Sequence, residues 1–418
     1  MKLEKRSFIT NITLILVIIL GILAGREIWM ANSKKSDTNN SVSTNVLAEG
    51  KYNLVGLEED KPDDAKATKP SNIENSNLKG DDLFAEFYDQ ADILLRSMTL
   101  EEKVGQMFLV RFPEDGVIEQ IKNYNPGGYI LFGENFKNET PSSILQKLQE
   151  CQKASKVKLV LGVDEEGGKV VRVSKYEAFR SSKFLSPQQL WAQGQLPAVL
   201  KDSTEKSNLL KSIGLNMNLA PVVDVPTQST SYIYDRSYGR GGEKTSVYAA
   251  ELIRTMNNDG MISVMKHFPG YGDNVDTHTG IAIDERPYDT FKSSDFLPFM
   301  SGIEAGGPCI LVNHNIVKSI DADRPASLSR NVHDILRNEL NFSGIIITDD
   351  LYMDAIKEYV EDAAVQAVLA GNDMIISSDF VEQREEVLNA IRQGKISEKQ
   401  IDEAVKRILA WKCKYKII

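Results

Sequence analysis

Two carboxylates and one histidine occupy positions from which they could form a bond to carbon and move a proton. Asp349 follows the apolar run 345–347 after one intervening residue, so a strand would hold its carboxylate in a fixed position. Asp276 lies two residues before His278, close enough for the carboxylate to orient and charge the imidazole. Histidine has an ordinary pKa of about 6.5 and can deliver and take a proton near neutral pH. On spacing alone, however, a solvated loop histidine is the commoner role.

Polar residues follow five of the apolar runs that are predicted to be strands. These polar ends are residues 164–168, Asp224, residues 266–270, residues 313–314 and residues 348–350. A single Asp or Asn in such a place most often caps the next helix. In a barrel, however, the carboxyl ends of the strands meet on one rim, so five polar ends together favour a functional site. Lys266 could also simply pair with Asp349 or Asp350.

The order of the predicted elements is strand and helix in alternation, which is typical of an α/β protein. Eight strands are predicted at residues 107–111, 128–132, 158–163, 217–222, 262–266, 309–313, 344–348 and 374–377. Helices are predicted between and after them, for example at residues 142–154, 246–259, 332–340, 360–370 and 398–411, and Thr99 with Glu102 forms a capping box. We therefore predict a (β/α)8 TIM-like barrel as a single catalytic domain over residues 81–418. A doubly wound open sheet is the alternative, but no GxGxxG follows the first strand.

The N-terminal 80 residues are predicted to contain a segment for membrane attachment or export, and then a linker. Lys2, Lys5 and Arg6 precede an uncharged apolar run at residues 8–25, the arrangement of a membrane anchor or signal sequence over residues 1–31. Basic residues before the run predict a cytoplasmic N-terminus and a body outside the membrane. Residues 32–80 are rich in Ser, Asn, Asp, Lys and Thr, which predicts a flexible, disordered linker.

Composition excludes several classes of function. The formal net charge of −10 argues against a nucleic-acid partner, which would need a basic surface. Cys151, Cys309 and Cys413 are far apart, and the four histidines include no His-x-His pair. We therefore predict no disulfide framework, no metal and no cofactor.

Motifs along residues 90–412 identify a family resemblance. They are MTLEEKVGQM at 98–107, VDEEGG at 163–168 with Arg172, NLAPVVDV at 218–225, DRSYG at 235–239, KHFPGYGD at 266–273, DTH at 276–278, PASLS at 325–329, ITDDLYM at 347–353 and AGNDM at 370–374. In this order and combination the chain resembles glycoside hydrolase family 3, in particular the NagZ-type β-N-acetylhexosaminidases.

The resemblance implies a retaining exo-β-N-acetylglucosaminidase that acts on peptidoglycan-derived saccharides or muropeptides in the cell envelope. Asp349 would be the nucleophile, and His278 with Asp276 would form an acid/base dyad in place of the usual second carboxylic acid. The resemblance further implies six residues that bind the sugar, namely Asp164, Arg172, Arg236, Lys266, His267 and Met353. No cofactor is implied.

The sequence departs from the family pattern at two positions and leaves other functions open. The family usually has Gln where Glu165 stands and His where Tyr271 stands, which we expect to alter loop packing or substrate preference. A β-glucosidase, a phosphorolytic N-acetylglucosaminidase and a sugar-binding wall protein are the alternatives. The last would predict loss of Asp349 or His278, and the sequence retains both.

Overall fold

The computed structural model describes residues 82–277 and 280–418. Its strands, numbered along the chain, are β1 (Phe108–Arg111), β2 (Gly128–Leu131), β3 (Val160–Val163), β4 (Met217–Asn218), β5 (Ile262–Phe268), β6 (Ile283–Asp284), β7 (Cys309–Val312), β8 (Ile316–Val317), β9 (Ile345–Thr348) and β10 (Ile375–Ser377). Eight of them form one parallel sheet in the order β10-β1-β2-β3-β4-β5-β7-β9, and β6 pairs with β8 beside it. A bridge between Ile347 and Met374 brings the two ends of the large sheet together. The result is a nearly closed barrel, which confirms the predicted (β/α)8 fold.

Each of the eight predicted strands coincides with a strand of the barrel, and β4 differs most in length. The prediction extended it to residue 222, whereas its regular pairing ends at Asn218. Pro221 has no backbone N–H to donate to the sheet, so the ladder is interrupted there. Pairing resumes at a bridge between Val222 and Lys266, where the Val223 N–H donates to the Lys266 carbonyl.

Helices connect the strands and cover the outside of the barrel. The α-helices are Tyr88–Arg96, Leu100–Gln106, Val117–Tyr124, Pro141–Ala154, Pro187–Ser212, Gly241–Asn258, Tyr288–Thr290, Phe296–Glu304, Arg330–Asp334, Asp354–Lys357, Ala363–Ala370, Phe380–Arg392 and Glu398–Lys414. The five helices named from the sequence are all present, although the one predicted at 332–340 continues from Asp334 as the π-helix Ile335–Glu339. The predicted capping box is also present, because Thr99 accepts from the Glu102 N–H while Glu102 accepts from the Thr99 N–H.

The last helix, Glu398–Lys414, closes the base of the barrel. Ile401, Val405, Ile408 and Leu409 recur at helical spacing and are fully buried. Each such side chain stabilises the fold by roughly 1.5–3 kcal/mol relative to an exposed one. The helix also packs on Tyr88–Arg96, so the first and last α-helices described stabilise each other.

The described chain begins at the amino-terminal ends of the strands. The Leu83 N–H donates to the Ser343 hydroxyl at 2.9 Å, and Ser343 lies just before β9. Lys406 of the last helix forms an ion pair of 2.7 Å with Asp92 of the first one. Leu83 is therefore fixed at the base, whereas the polar strand ends lie on the opposite rim.

The predicted membrane anchor or signal sequence at 1–31 and the predicted linker at 32–80 lie outside the described residues. Within the described ranges, no helix combines the length and the apolarity needed to span a bilayer.

Candidate active site

A cavity of about 500 Å³ opens at the carboxyl ends of the barrel strands. Eight of the nine residues predicted from the sequence to form the site line it, namely Asp164, Arg172, Arg236, Lys266, His267, Asp276, Asp349 and Met353. The ninth, His278, lies outside the described residues. A larger groove near Trp191 contains no carboxylate, so the rim cavity is the candidate active site.

A buried chain of alternating charges forms one wall of the cavity. Lys266 Nζ lies 2.6 Å from Asp164 Oδ1 and 2.7 Å from Glu166 Oε1. Arg236 donates to the same Glu166 through Nη2 at 2.8 Å and Nε at 3.0 Å, the two-pronged geometry that fixes a guanidinium against a carboxylate. Lys266 therefore pairs with Asp164 and Glu166, and the expected alternative of a pair with Asp349 or Asp350 is not the arrangement found.

Three members of this chain keep their charge at neutral pH, namely Glu166, Lys266 and Arg236. Burial by itself would raise the pKa of Glu166, but Arg236 and Lys266 outweigh it and hold the pKa well below its usual range. Burial would also lower the pKa of Lys266, yet Asp164 and Glu166 raise it above its ordinary value. Asp164 was predicted from the sequence and Glu166 was not, although Glu166 stands in the same VDEEGG motif.

His267 is held in one tautomer by two neighbours. Its Nδ1 lies 2.7 Å from Asp224 Oδ2, and its Nε2 lies 3.2 Å from Arg236 Nη2. Because a guanidinium can only donate, Nε2 must accept, which leaves the proton on Nδ1 to be donated to Asp224. Asp224 also accepts from the Tyr271 N–H at 2.8 Å. The imidazole is thus fixed at the cavity wall.

The two adjacent aspartates after β9 have different surroundings. The Asp349 N–H donates to the Val312 carbonyl of β7 at 2.9 Å, which continues the sheet to that residue. Asp349 Oδ1 then accepts from the Asp350 N–H at 2.9 Å. The Asp350 carboxylate accepts instead from the Tyr352 N–H and the Ser378 hydroxyl, and burial raises its pKa. Both aspartates line the cavity, but one oxygen of Asp350 is bonded to the loop that follows and the other to Ser378 after β10.

The loop after β5 brings Asp276 to the cavity and is tied to the barrel at its base. Asp273 accepts hydrogen bonds from the Thr227 and Gln228 N–H groups, each at 3.0 Å, and from two hydroxyl groups of the same neighbouring segment. At the far end of the loop, Arg286 donates to Asp284 and Asp295 and to the Gly270 carbonyl. The Tyr271 hydroxyl is hydrogen-bonded to Thr277 Oγ1, next to Asp276.

The loop after β3 is shaped by a buried carboxylate. Glu165 is fully buried and accepts from the N–H groups of Arg172 and Val173, both at 2.7 Å, and of Ser174 at 3.1 Å. Gly167 and Gly168 have φ values of 103° and 64°, a backbone conformation that glycine adopts without steric cost. The loop therefore folds back and presents Arg172 to the cavity.

The remaining predicted residues are placed as follows. Met353 is 7% exposed and precedes the helix Asp354–Lys357 on the cavity wall. His314, in the polar segment after β7, is buried, and its ring nitrogens contact the Ser327 hydroxyl and the Asp350 carbonyl. Aromatic lining residues that the sequence did not single out are Phe132, Tyr232 and Tyr352. In residues 82–277 and 280–418, no group of three or more His, Cys, Asp or Glu side chains is arranged to hold a metal ion.

Comparison with known proteins assigns the family. The family model described as glycosyl hydrolase family 3 N terminal domain matches residues 99–411. A protein of Nitrosomonas eutropha named Beta-hexosaminidase is 31% identical over 284 residues, which is 65% of this chain and 79% of that protein. An Arthroderma benhamiae protein described as an uncharacterized secreted glycosyl hydrolase is 29% identical over 340 residues, covering 75% of this chain and 93% of that protein.

A solved structure supports the same assignment. The family 3 β-N-acetylglucosaminidase of a Paenibacillus species superposes with a TM-score of 0.72 and 30% identity, covering 77% of this chain. This chain spans 63% of that protein's length. With a barrel of the same fold, the family's motifs on its rim and a family match over most of its length, the chain belongs to glycosyl hydrolase family 3.

Proposed function

We propose that this protein is a retaining exo-β-N-acetylglucosaminidase that releases terminal β-N-acetylhexosamine from peptidoglycan-derived saccharides. The observation that carries the proposal is the convergence of Asp349 and Asp276 on one cavity whose wall contains the Asp164–Lys266 pair. Hydrolysis with retention needs a carboxylate nucleophile and a separate proton donor beside the scissile bond. The names of the Nitrosomonas and Paenibacillus relatives support N-acetylhexosamine as the sugar.

In the first step, a carboxylate oxygen of Asp349 attacks the anomeric carbon of the terminal sugar. The bond from this carbon to the leaving oxygen breaks as the glycosyl ester on Asp349 forms, and His278 gives its proton to the leaving oxygen. In the second step, a water oxygen attacks the same carbon, His278 takes the proton of that water, and the Asp349 carboxylate is released. Asp276 orients the imidazole and stabilises its charged form.

Substrate binding in this scheme uses the fixed polar groups of the wall. Lys266 holds Asp164 in one orientation, so this carboxylate can accept from sugar hydroxyl groups without rearranging. Arg236 and His267 are immobilised by Glu166 and Asp224 in the same way. Arg172 lines the same cavity, and its guanidinium can donate to a sugar oxygen.

We further propose that this activity operates outside the cytoplasm. Residues 1–31 would anchor or export the chain, residues 32–80 would form a linker, and residues 81–418 would form the catalytic domain. The apolar run behind three basic residues supports export, as does the secreted Arthroderma relative.

The test is turnover of p-nitrophenyl glycosides by the full chain. We expect nitrophenol release from the β-N-acetylglucosaminide, little from the β-glucoside, and a loss of at least about 10³-fold in kcat for Asp349→Ala. Glu361→Gln, which changes an exposed carboxylate away from the cavity, is the matched control and should keep full activity. Release from the glucoside alone would contradict the choice of sugar.

Two further readouts of the same assay separate the alternatives. Free N-acetylglucosamine in phosphate buffer indicates hydrolysis, whereas the sugar 1-phosphate would indicate phosphorolysis. A 5-fluoro analogue that is cleaved slowly should leave a covalent sugar on the peptide that contains Asp349, detectable by mass spectrometry. Saccharide binding without turnover of any glycoside would support a sugar-binding wall protein.

A further inference from the structure

Three acidic residues follow one another after β3, and the middle one serves a different part of the molecule from its neighbours. Asp164 and Glu166 both contact Lys266 at the cavity wall. Glu165 is completely buried and is bonded instead to residues 172–174. Its backbone is held separately by Asn218 of β4, whose amide accepts from the Glu165 N–H at 3.0 Å and donates to the Glu165 carbonyl at 3.1 Å. The place of the three acids on the barrel therefore does not depend on the Glu165 side chain.

Four uncharged donors converge on the two carboxylate oxygens of Glu165. Oε2 accepts from the N–H groups of Arg172 and Val173, both at 2.7 Å. Oε1 accepts from the Ser174 N–H at 3.1 Å and from the Ser174 hydroxyl. The Ser174 oxygen in turn accepts from the Phe184 N–H at 3.2 Å, so its own proton is available to Glu165. The site therefore needs an acceptor at both ends of the side chain, which a carboxylate supplies and an amide does not.

The backbone turn between these acids and Arg172 ends before it reaches the arginine. The N–H groups of Glu166 and Gly167 both donate to the Val170 carbonyl, at 3.0 and 3.1 Å, and close the turn. These two bonds end two residues before Arg172. From Arg172 onward, the side chain of Glu165 supplies the bonds that hold the loop against the end of β3. Arg172 lines the cavity, whereas the residues on either side of it are buried.

We propose that Glu165 is a positioning residue for substrate binding, because its carboxylate fixes residues 172–174 and thereby sets where the Arg172 guanidinium meets the sugar. This inference rests on the proposed function, in which Arg172 donates to a sugar oxygen. Glu165 is completely buried, so it acts on the sugar through Arg172 and not by contact. A contact that binds substrate and transition state equally changes KM and leaves kcat nearly unaltered. Loss of the Glu165 carboxylate should therefore weaken binding more than turnover.

The experiment is a double-mutant cycle in the full chain between Glu165→Gln and Arg172→Met, with KM and kcat measured on the p-nitrophenyl β-N-acetylglucosaminide. We expect Glu165→Gln to raise KM about tenfold and to change kcat by less than about threefold. Added to Arg172→Met, which itself raises KM, it should raise KM by less than about twofold more, because the group that it positions is already gone. Asp321→Asn is the matched control and should leave KM unchanged. Asp321 also accepts from a serine hydroxyl and a backbone N–H, but on the loop after β8 and outside the cavity lining.

Ser174→Ala tests the same contact if Glu165→Gln does not fold. It removes one of the four donors, and it should raise KM about threefold in the unaltered background and have no effect beside Arg172→Met. An unchanged KM for Glu165→Gln would overturn the proposal, as would effects of the two substitutions that simply multiply in the double variant. If the unaltered protein does not cleave the N-acetylglucosaminide, the proposed function fails. The same cycle, measured as KM for the glycoside that is cleaved or as the calorimetric Kd of N-acetylglucosamine, then still decides the role of Glu165.

Discussion

Tyr271 stands beside the proposed dyad, at a position where the family usually has histidine. Its ring is 1% exposed and meets the His267 ring edge-on, with the centroids 5.2 Å apart. Burial raises the pKa of its hydroxyl, so the proton is retained and can be donated to Thr277. Thr277 lies between Asp276 and His278 in the chain. The departure from the family pattern thus places a hydrogen bond from the barrel rim beside the dyad.

At this scale we predict that Tyr271→Phe weakens acid catalysis without unfolding the protein. Loss of one neutral hydrogen bond of about 0.5–1.5 kcal/mol should lower kcat roughly three- to tenfold on aryl glycosides with poor leaving groups. Nitrophenol, a good leaving group, needs less protonation and should show a smaller effect. The measurement is kcat against leaving-group pKa, with the thermal midpoint recorded alongside. The same loss for every leaving group would argue that Tyr271 has no part in positioning the dyad.

The loop after β5 packs on a cluster in which one arginine forms ion pairs with two buried aspartates. Arg286 contacts Asp284 at 2.7 Å and Asp295 at 3.0 Å, and both carboxylates are 1% exposed. Burial raises the pKa of Asp295 to about 7, although Arg286 opposes the shift. Gly270 and Gly272 pack so closely on this cluster that a Cβ at either position would lie within 2.6 Å of Asp295 or Arg286 atoms. The glycines of the KHFPGYGD motif therefore allow the loop backbone to pack directly against the Arg286–Asp295 ion pair.

For this element we predict that Arg286→Met destabilises the fold strongly. It leaves two buried carboxylates without their cation, which typically costs about 3–5 kcal/mol. Urea unfolding should show the loss as a lower free energy of unfolding. Lys292→Met, which removes an exposed ion pair with Asp289, should change it by at most about 1 kcal/mol. Similar effects of the two substitutions would contradict a supporting role for the cluster.

The regular part of the barrel was predictable because its physics is local. Apolar runs such as 345–347 report burial on both faces of a parallel strand, and every one of the eight strands was found from such runs. The β6–β8 pair was not predicted, since each strand has two residues and leaves no periodic pattern. The polar residues that follow five of these strands could also be recognised in the sequence.

Contacts between side chains that are distant in the sequence were not predictable. Glu166 and Asp164 lie two positions apart in one motif. Only the fold shows that Glu166 forms ion pairs with both Lys266 and Arg236. The helix Pro187–Ser212 is broken at Gly194 and Gln195. Gly194 and Pro197 are only weak sequence signals of this break, and the backbone conformation of Gln195 depends on tertiary packing. The predicted contacts of His278 stay predictions.

At the scale of the whole molecule, the base of the barrel contains a buried lysine. Lys412 is fully buried, and its Nζ donates to Gln106 Oε1 at 2.7 Å and to the Lys158 carbonyl at 2.9 Å. These acceptors satisfy its hydrogen bonds without neutralising a charge. Burial lowers the pKa of Lys412 from its ordinary value of 10.5 to about 7.

We predict that Lys412 makes the folded state more stable as the pH rises. Between about pH 7 and pH 10.5, the unfolded chain binds the lysine proton and the folded chain does not, so the free energy of unfolding rises with pH across that window. The slope from this group is at most about 1.4 kcal/mol per pH unit. Lys412→Met should remove this contribution, seen as the difference between urea titrations of the two proteins at pH 7, 8.5 and 9.5. Lys414→Met, on a half-buried neighbour, should leave the slope unchanged; a parallel pair of curves for Lys412→Met would refute the assignment.

The hydrogen bond between Leu83 and Ser343 has a practical consequence for how the enzyme can be attached to anything. It fixes the chain at the base of the barrel, while the catalytic cavity opens on the other rim. A resin, a fluorescent domain or a lipid-bound segment joined ahead of Asp82 is therefore connected at the face opposite the mouth.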